Sequence, residues 1–341
     1  MDNNDNKIKF VNKDNNTIIK EKKRNFKLTN KDNNTIIEKP KLNEEKKEIN
    51  NINDLKELLI KLNSSNEEFD IELYNQENDI NNNKILSIKF KSISTLKNLF
   101  EENNYQEYKY LLIPTMELIL DSLSSELNFF LNINTMIEDC SNNLINYIQE
   151  LISIFLIISS KSEIIMVLKE DILNKLIILL LNYLEIDKEE EISEINDTFN
   201  TIIQKLNKIT LNIIQKGKRE LIIVILIRLI SNFKGESDVS LLAINCLVQL
   251  IKITNFKKYN IVDILTEIII AVDDDDLFNG KNNKKINELF LKCIKKLLNQ
   301  LVIEKKSNIL KDYQMAINRC NIKDVKVSDW IQKILEHNKF I

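Results

Sequence analysis

An all-α fold made of paired helices is predicted by three features of this sequence. The 341 residues include only 3 Gly and 2 Pro, where ordinary usage would supply roughly 24 and 17. Sheets and phosphate-binding α/β folds draw on both residues for turns, bulges and loops, whereas long helices with short polar connections need few. Apolar residues, mostly Ile and Leu, recur at i, i+3, i+4 and i+7, the spacing of one helix face. Polar breaks separate these stretches into segments of roughly 20 residues, a length that suits packed helices.

Taken in order, residues 1–50 are expected to form a disordered, low-complexity arm. The octapeptide Asn-Lys-Asp-Asn-Asn-Thr-Ile-Ile occurs at 12–19 and again at 30–37, and isolated Ile-Ile pairs bury too little surface to order such a segment. Residues 51–83 read as a short helix over 52–62, with Ile52, Leu55, Leu58, Leu59 and Leu62 on one face, followed by an acidic, Asn-rich linker. A helical-repeat domain then fills 84–341. Helices are predicted at 84–102, 106–131, 141–160, 163–184, 189–216, 218–233, 237–254, 258–272, 283–303 and 306–320, and a last one at 328–338 with Ser328 as N-cap. In 237–254 the face is Val239, Leu242, Ala243, Cys246, Leu247, Leu250 and Ile251; in 283–303 it is Ile286, Leu289, Phe290, Cys293, Ile294, Leu297, Leu298 and Leu301. Gly217 and Gly235 stand where helices should stop, and Pro114 is expected either to kink the second helix or to start it.

Pairs of such helices at about 40 residues per pair have the period of HEAT or armadillo solenoids, and about five pairs fit between 84 and 320. The alternative is an irregular helical bundle. The solenoid is preferred because many helices are apolar on more than one side, as a helix between two neighbours must be.

Nothing in the sequence points to catalysis, a cofactor or a metal. His337 is the one histidine, and no metal ligand or Cys partner stands at a useful spacing from it. The acidic run 273–276 places carboxylates consecutively, where a calcium loop needs alternating ligands and a glycine turn. Trp330 is expected to anchor the last helix. Cys140, Cys246, Cys293 and Cys320 are far apart and form no CxxC pair, so they read as buried, reduced thiols of a cytosolic protein. The formal net charge is −3, with +4 in residues 1–50 and −7 in the remainder, which gives no overall bias toward nucleic acid or membrane. The most apolar segment, 221–230, is interrupted by Arg228 and is shorter than the roughly 18 residues of a membrane span.

Three stretches carry a family resemblance. They are 241–251 (Leu-Leu-Ala-Ile-Asn-Cys-Leu-Val-Gln-Leu-Ile) with 259–265 (Tyr-Asn-Ile-Val-Asp-Ile-Leu), 307–313 (Ser-Asn-Ile-Leu-Lys-Asp-Tyr) and 330–335 (Trp-Ile-Gln-Lys-Ile-Leu). With the order and spacing of the helices from 84 to 338, they resemble the C-terminal helical-repeat region of the ch-TOG and mini spindles family of microtubule-associated proteins. The resemblance implies a HEAT-repeat (TOG) fold, association with tubulin or microtubules, and a place in the cytoplasm on the cytoskeleton, at spindle poles or centrosomes. Tubulin-binding members carry an aromatic in the first within-pair turn; here that turn, 101–105, holds Tyr105 beside Glu101 and Glu102. With one such domain in the chain, an adaptor role fits better than microtubule polymerase activity. The other open reading is a HEAT or armadillo scaffold serving another cytosolic pathway.

Charge suggests where a partner would dock. The predicted within-pair turns are basic, with Lys216, Lys218 and Arg219, then Lys257 and Lys258, then Lys305 and Lys306. The between-pair connections are acidic, with Asp187 and Glu189 to Glu191, then Glu236 and Asp238, then Asp273 to Asp276. Helix-dipole preferences would put both signs at both ends, so they do not explain this segregation, which leaves two readings: solvated turns without a partner, or a basic ridge that docks an acidic protein partner.

Overall fold

The structure, a computed structural model, describes residues 49, 51–63, 80–132, 142–185, 197–233, 238–273, 284–320 and 325–337. Every regular element among them is helical. The expectations placed on the arm (residues 1–48), on 64–79, on Cys140 and Gly235, and on most of the acidic connections lie outside the described residues. Ile49, at the end of the predicted arm, is buried in the core.

The first helix, α1 (Ile52–Asn63), starts at a side-chain cap. Asn51 Oδ1 accepts from the backbone N–H of Asn53 at 2.8 Å and of Asp54 at 3.1 Å, satisfying two donors that the first turn would leave open. Leu55, Leu59 and Leu62 form its buried stripe, which packs on α2 (Ile80–Phe100) and α4 (Met116–Asn132). Between these two lies α3 (Glu102–Leu112). The single helix predicted over 106–131 is therefore two. Pro114 lacks an N–H and cannot continue α3, and the Ile113–Thr115 turn closes with Met116 N–H donating to Ile113 O at 3.3 Å.

The next stretch is likewise divided. After α5 (Asn142–Ser160) come the single-turn α6 (Ser162–Ile165) and then α7 (Glu170–Glu185), where one helix was predicted over 163–184. There follow α8 (Asp197–Lys216), α9 (Arg219–Asn232), α10 (Asp238–Ile253), α11 (Val262–Val272), α12 (Lys284–Lys305), α13 (Ile309–Cys320) and α14 (Val325–His337). Short 3-10 turns stand before α11 and α13: Phe256–Lys258 falls almost wholly in the turn predicted between 254 and 258, and Lys306–Asn308 replaces the start of the α-helix predicted at 306. Only Gly217 and Lys218 separate α8 from α9. A Cβ at Gly217 would lie 2.9 Å from Ile213 O and 2.6 Å from Ile222 Cδ1, so the turn can be this tight only because the residue is glycine.

Successive helices alternate between two rows. In one, α2, α5, α8, α10 and α12 lie side by side, and α14 packs on α12; in the other, α4, α7, α9, α11 and α13 do the same. The rows interlock through α4 on α5, α7 on α8 and α9 on α10, and α1 covers the open end at α2 and α4. First-row helices begin at residues 80, 142, 197, 238 and 284. The early intervals exceed the predicted 40 residues, and α3 and α6 lie within them. Apolar side chains from both rows form one continuous core. It includes Cys246 and Cys293, and Trp330 packs against it half-buried, both as expected. Residues 143–160 have the length and mean hydropathy (1.3) of a membrane span. In this fold they are α5, which packs against α2, α4 and α8.

Candidate protein-binding edge

The helices of the first row end along one edge, and hydrogen bonds across that edge fix which turns are neighbours. Lys216, at the end of α8, donates from Nζ to Ser160 O at the end of α5, at 2.6 Å. Arg219, at the start of α9, donates from Nη1 to Ile253 O at the end of α10. The backbone N–H of Lys257 donates to Glu304 Oε2 at 3.2 Å, and Lys305 Nζ donates to Tyr259 O at 2.6 Å, joining the 256–259 turn to the end of α12. All seven predicted binding residues thus lie in three adjoining turns.

They divide into two chemical groups. Lys216, Arg219 and Lys305 have their cationic heads on main-chain carbonyls, two of them the terminal carbonyls of helices, where the negative end of the helix dipole stabilises a cation. Burial, and Lys208 nearby, lower the Lys216 pKa. Lys218, Lys257, Lys258 and Lys306 instead project into solvent. Lys306 has φ 52°, the left-handed conformation that stops α12 and turns the chain into the next short element. Two apolar side chains, Ile253 (42% exposed) and Ile303 (64% exposed), stand on the same ends of α10 and α12.

The edge continues to the first turns, where the aromatic singled out in the sequence is covered. Tyr105 is fully buried; Lys161 Nζ lies 4.1 Å from its ring centroid and bonds Glu102 at 3.2 Å, while Lys109 bonds Glu163 at 2.8 Å beside it. Burial first, then Glu163, pushes the phenol pKa up. Tyr105 is a packed side chain held by a cation over its face, and the first turn presents the carboxylates of Glu101 and Glu102 to solvent.

On the opposite edge, Asp238 and Asp273 are half-buried, and the other acidic residues of the connections lie outside the described residues. Among the described residues no group of three metal-ligating side chains occurs, and the His337 side chain is not among those described.

Fold and edge together define an all-α protein of two interlocked helix rows with a cationic margin. No protein-family model, curated protein or solved structure matches this chain.

Proposed function

We propose that the chain is a non-enzymatic protein-interaction module, a HEAT- or armadillo-type solenoid of about five helix pairs whose basic edge docks an acidic protein. Tubulin, the microtubule lattice or a spindle-pole protein is the partner proposed, with the cytoskeleton as its place of action. The observation that carries this reading is the joining of the 216–219, 256–259 and 305–306 turns into one continuous basic margin across successive helices. Packed helices stand about 10 Å apart, so several turns can meet one surface at once. Rim charges of this kind are individually weak but steer association collectively and make it salt-sensitive.

Co-sedimentation of the full chain with microtubules tests the reading. Binding is expected to weaken as salt rises, and to weaken further when Lys218, Lys257 and Lys258 are reversed to Glu. Absence of the chain from the microtubule pellet at low salt would remove tubulin as the partner. A second reading, a scaffold for another cytosolic pathway, is favoured by one observation: the first-turn aromatic, Tyr105, is buried and cannot be offered to tubulin. Affinity purification that brings down neither tubulin nor a centrosomal protein would support that reading.

A further inference from the structure

Charge is divided between the two rows of helices. The helices α2, α5, α8, α10 and α12 carry 14 Lys and Arg against 5 Asp and Glu. The helices α4, α7, α9, α11 and α13 carry 5 against 10. The charges of the second row are largely matched across neighbouring helices. Lys175 bonds Asp121 at 2.7 Å, Arg319 bonds Asp263 at 2.6 Å, and Arg228 bridges Glu170 and Glu267.

The first row is different, and α12 most of all. Its buried face is Phe290, Cys293, Ile294, Leu297, Leu298, Leu301 and Val302. Lys285, Lys292, Lys295 and Lys296 occupy the exposed face, with Glu288 as the one exposed carboxylate of the helix. None of these four lysines has an ion-pair partner among the described residues. They cover about 16 Å of helix axis at the α-helical rise. Lys292 stands three and four residues from Lys295 and Lys296, and like charges at those spacings destabilise a helix. Continuing the same stripe, Asn299 leads to Ile303, 64% exposed.

We infer that the exposed face of α12 is a further docking surface, separate from the turns at its end, and that its occupant is an acidic protein segment carrying apolar side chains. Charge complementarity to Lys285, Lys292, Lys295 and Lys296 selects an anionic partner, and Ile303 in line with them selects one with an apolar contact to offer. A nucleic acid is the poorer fit. The face has no exposed aromatic on which bases could stack and no Arg for bidentate phosphate or guanine contacts, and the chain as a whole is acidic at −3. The inference rests on the reading of the chain as a protein-binding module, but not on tubulin as the partner.

The test is an anisotropy titration of the full chain into a dye-labelled synthetic peptide of Glu residues with Leu at every fourth position. Binding that weakens with salt is expected. The K292E/K295E/K296E variant should weaken it by about tenfold or more, a change typical of losing several complementary contacts. Ile303→Ser should weaken it by about threefold with an unchanged salt slope. Reversal of Lys218, Lys257 and Lys258 should change it by less than about twofold. The same lysines changed to Gln give a second reading of the face should the Glu variant melt early. Equal loss from the edge reversal overturns the inference, as does tighter binding of a duplex DNA of equal charge than of the peptide. Self-association of the chain at low salt that the α12 variant abolishes overturns it too, since a second copy is then the occupant. Peptide binding lost in the α12 variant, from a chain that ignores microtubules, leaves the inference standing and removes tubulin alone.

Discussion

The two halves of this molecule are held together by different means. In the first half a fully buried ion pair joins four helices. Lys89 on α2 donates from Nζ to Glu126 Oε1 on α4 at 2.7 Å and to Leu62 O at the end of α1 at 2.6 Å, and Tyr147 on α5 donates to the same Glu126 oxygen at 2.7 Å. Neither charged side chain has any exposure. Rings pack around the pair, with Tyr147 edge-on to both Phe90 and Phe130. In the second half α9 buries six consecutive residues, Ile222 to Ile227, between α10 on one side and α7 and α11 on others. There the helices meet chiefly through aliphatic volume, with Arg228 bridging Glu170 and Glu267 at the margin. Polar bonds that are costly to misalign fix the register of α1, α2, α4 and α5, whereas apolar packing, which tolerates small slips, supplies stability in the rest.

The largest expected effect breaks the first half. Glu126→Ala removes the carboxylate from a buried ammonium whose pKa burial already lowers. Loss of one partner of a buried pair costs about 3–5 kcal/mol, read as a drop in the urea midpoint. Replacing both residues, Lys89→Met with Glu126→Leu, should restore most of that loss or exceed it, because the desolvation cost disappears with the charges. A double variant as unstable as Glu126→Ala would mean that the polar bonds are a net source of stability.

In the second half the matching experiment is Leu247→Ala. Leu247 has no exposed surface and lies on the core face of α10. A cavity there should cost about 2–5 kcal/mol, and no change of a polar partner should rescue it. If it costs under about 1 kcal/mol, the α9–α10 packing relaxes more freely than the aliphatic reading allows.

Much of the second half was legible in the sequence, and less of the first. The faces of α10 and α12 follow from i, i+3, i+4 spacing alone, and Cys246 and Cys293 fall on the buried side as that spacing requires. The split at Ile113–Thr115 was half-legible through Pro114. The split at 166–169 carries no Gly or Pro to mark it in the sequence. Lys89 sits in Ser-Ile-Lys-Phe-Lys, which reads as a solvated face. It is buried only because Glu126, 37 residues on, and Tyr147, a further 21 on, close over it. The basic turns were legible as charges in loops. Which lysines are spent on carbonyls, and which on α12 have no carboxylate partner among the described residues, depends on neighbours some 50 residues away and appears only once the rows are assembled.

Alkaline pH should act on the second half through its thiols. Burial pushes Cys246 and Cys293 up to about 12 from 9.0. The unfolded chain therefore loses these protons first, and stability that is complete below pH 9 declines as pH rises toward 12. One pH unit above 9, each thiol should account for roughly 1 kcal/mol. Urea unfolding of the wild type and of C246A/C293A at neutral pH and near pH 10 checks this, and the variant's loss should be smaller by roughly the sum of the two. The same protonated thiols should react slowly with thiol reagents in the native protein, while half-buried Cys320 reacts sooner.

The smallest effect returns to ion pairs, now on the surface of the first half, where Lys175 on α7 meets Asp121 on α4 at 2.7 Å with both side chains about half-exposed. Its geometry matches that of the buried pair, but water screens it and the two side chains lose rotamer freedom to form it. A double-mutant cycle with Lys175→Ala and Asp121→Ala should return a coupling several-fold below the cost of Glu126→Ala, and the coupling should shrink at high salt. Both pairs join helices of the first half, so the comparison separates what position does from what burial does. A surface coupling as large as the buried cost would mean that cross-helix ion pairs hold the first half wherever they lie. A small one assigns the register of α1, α2, α4 and α5 to the single dry site at Lys89.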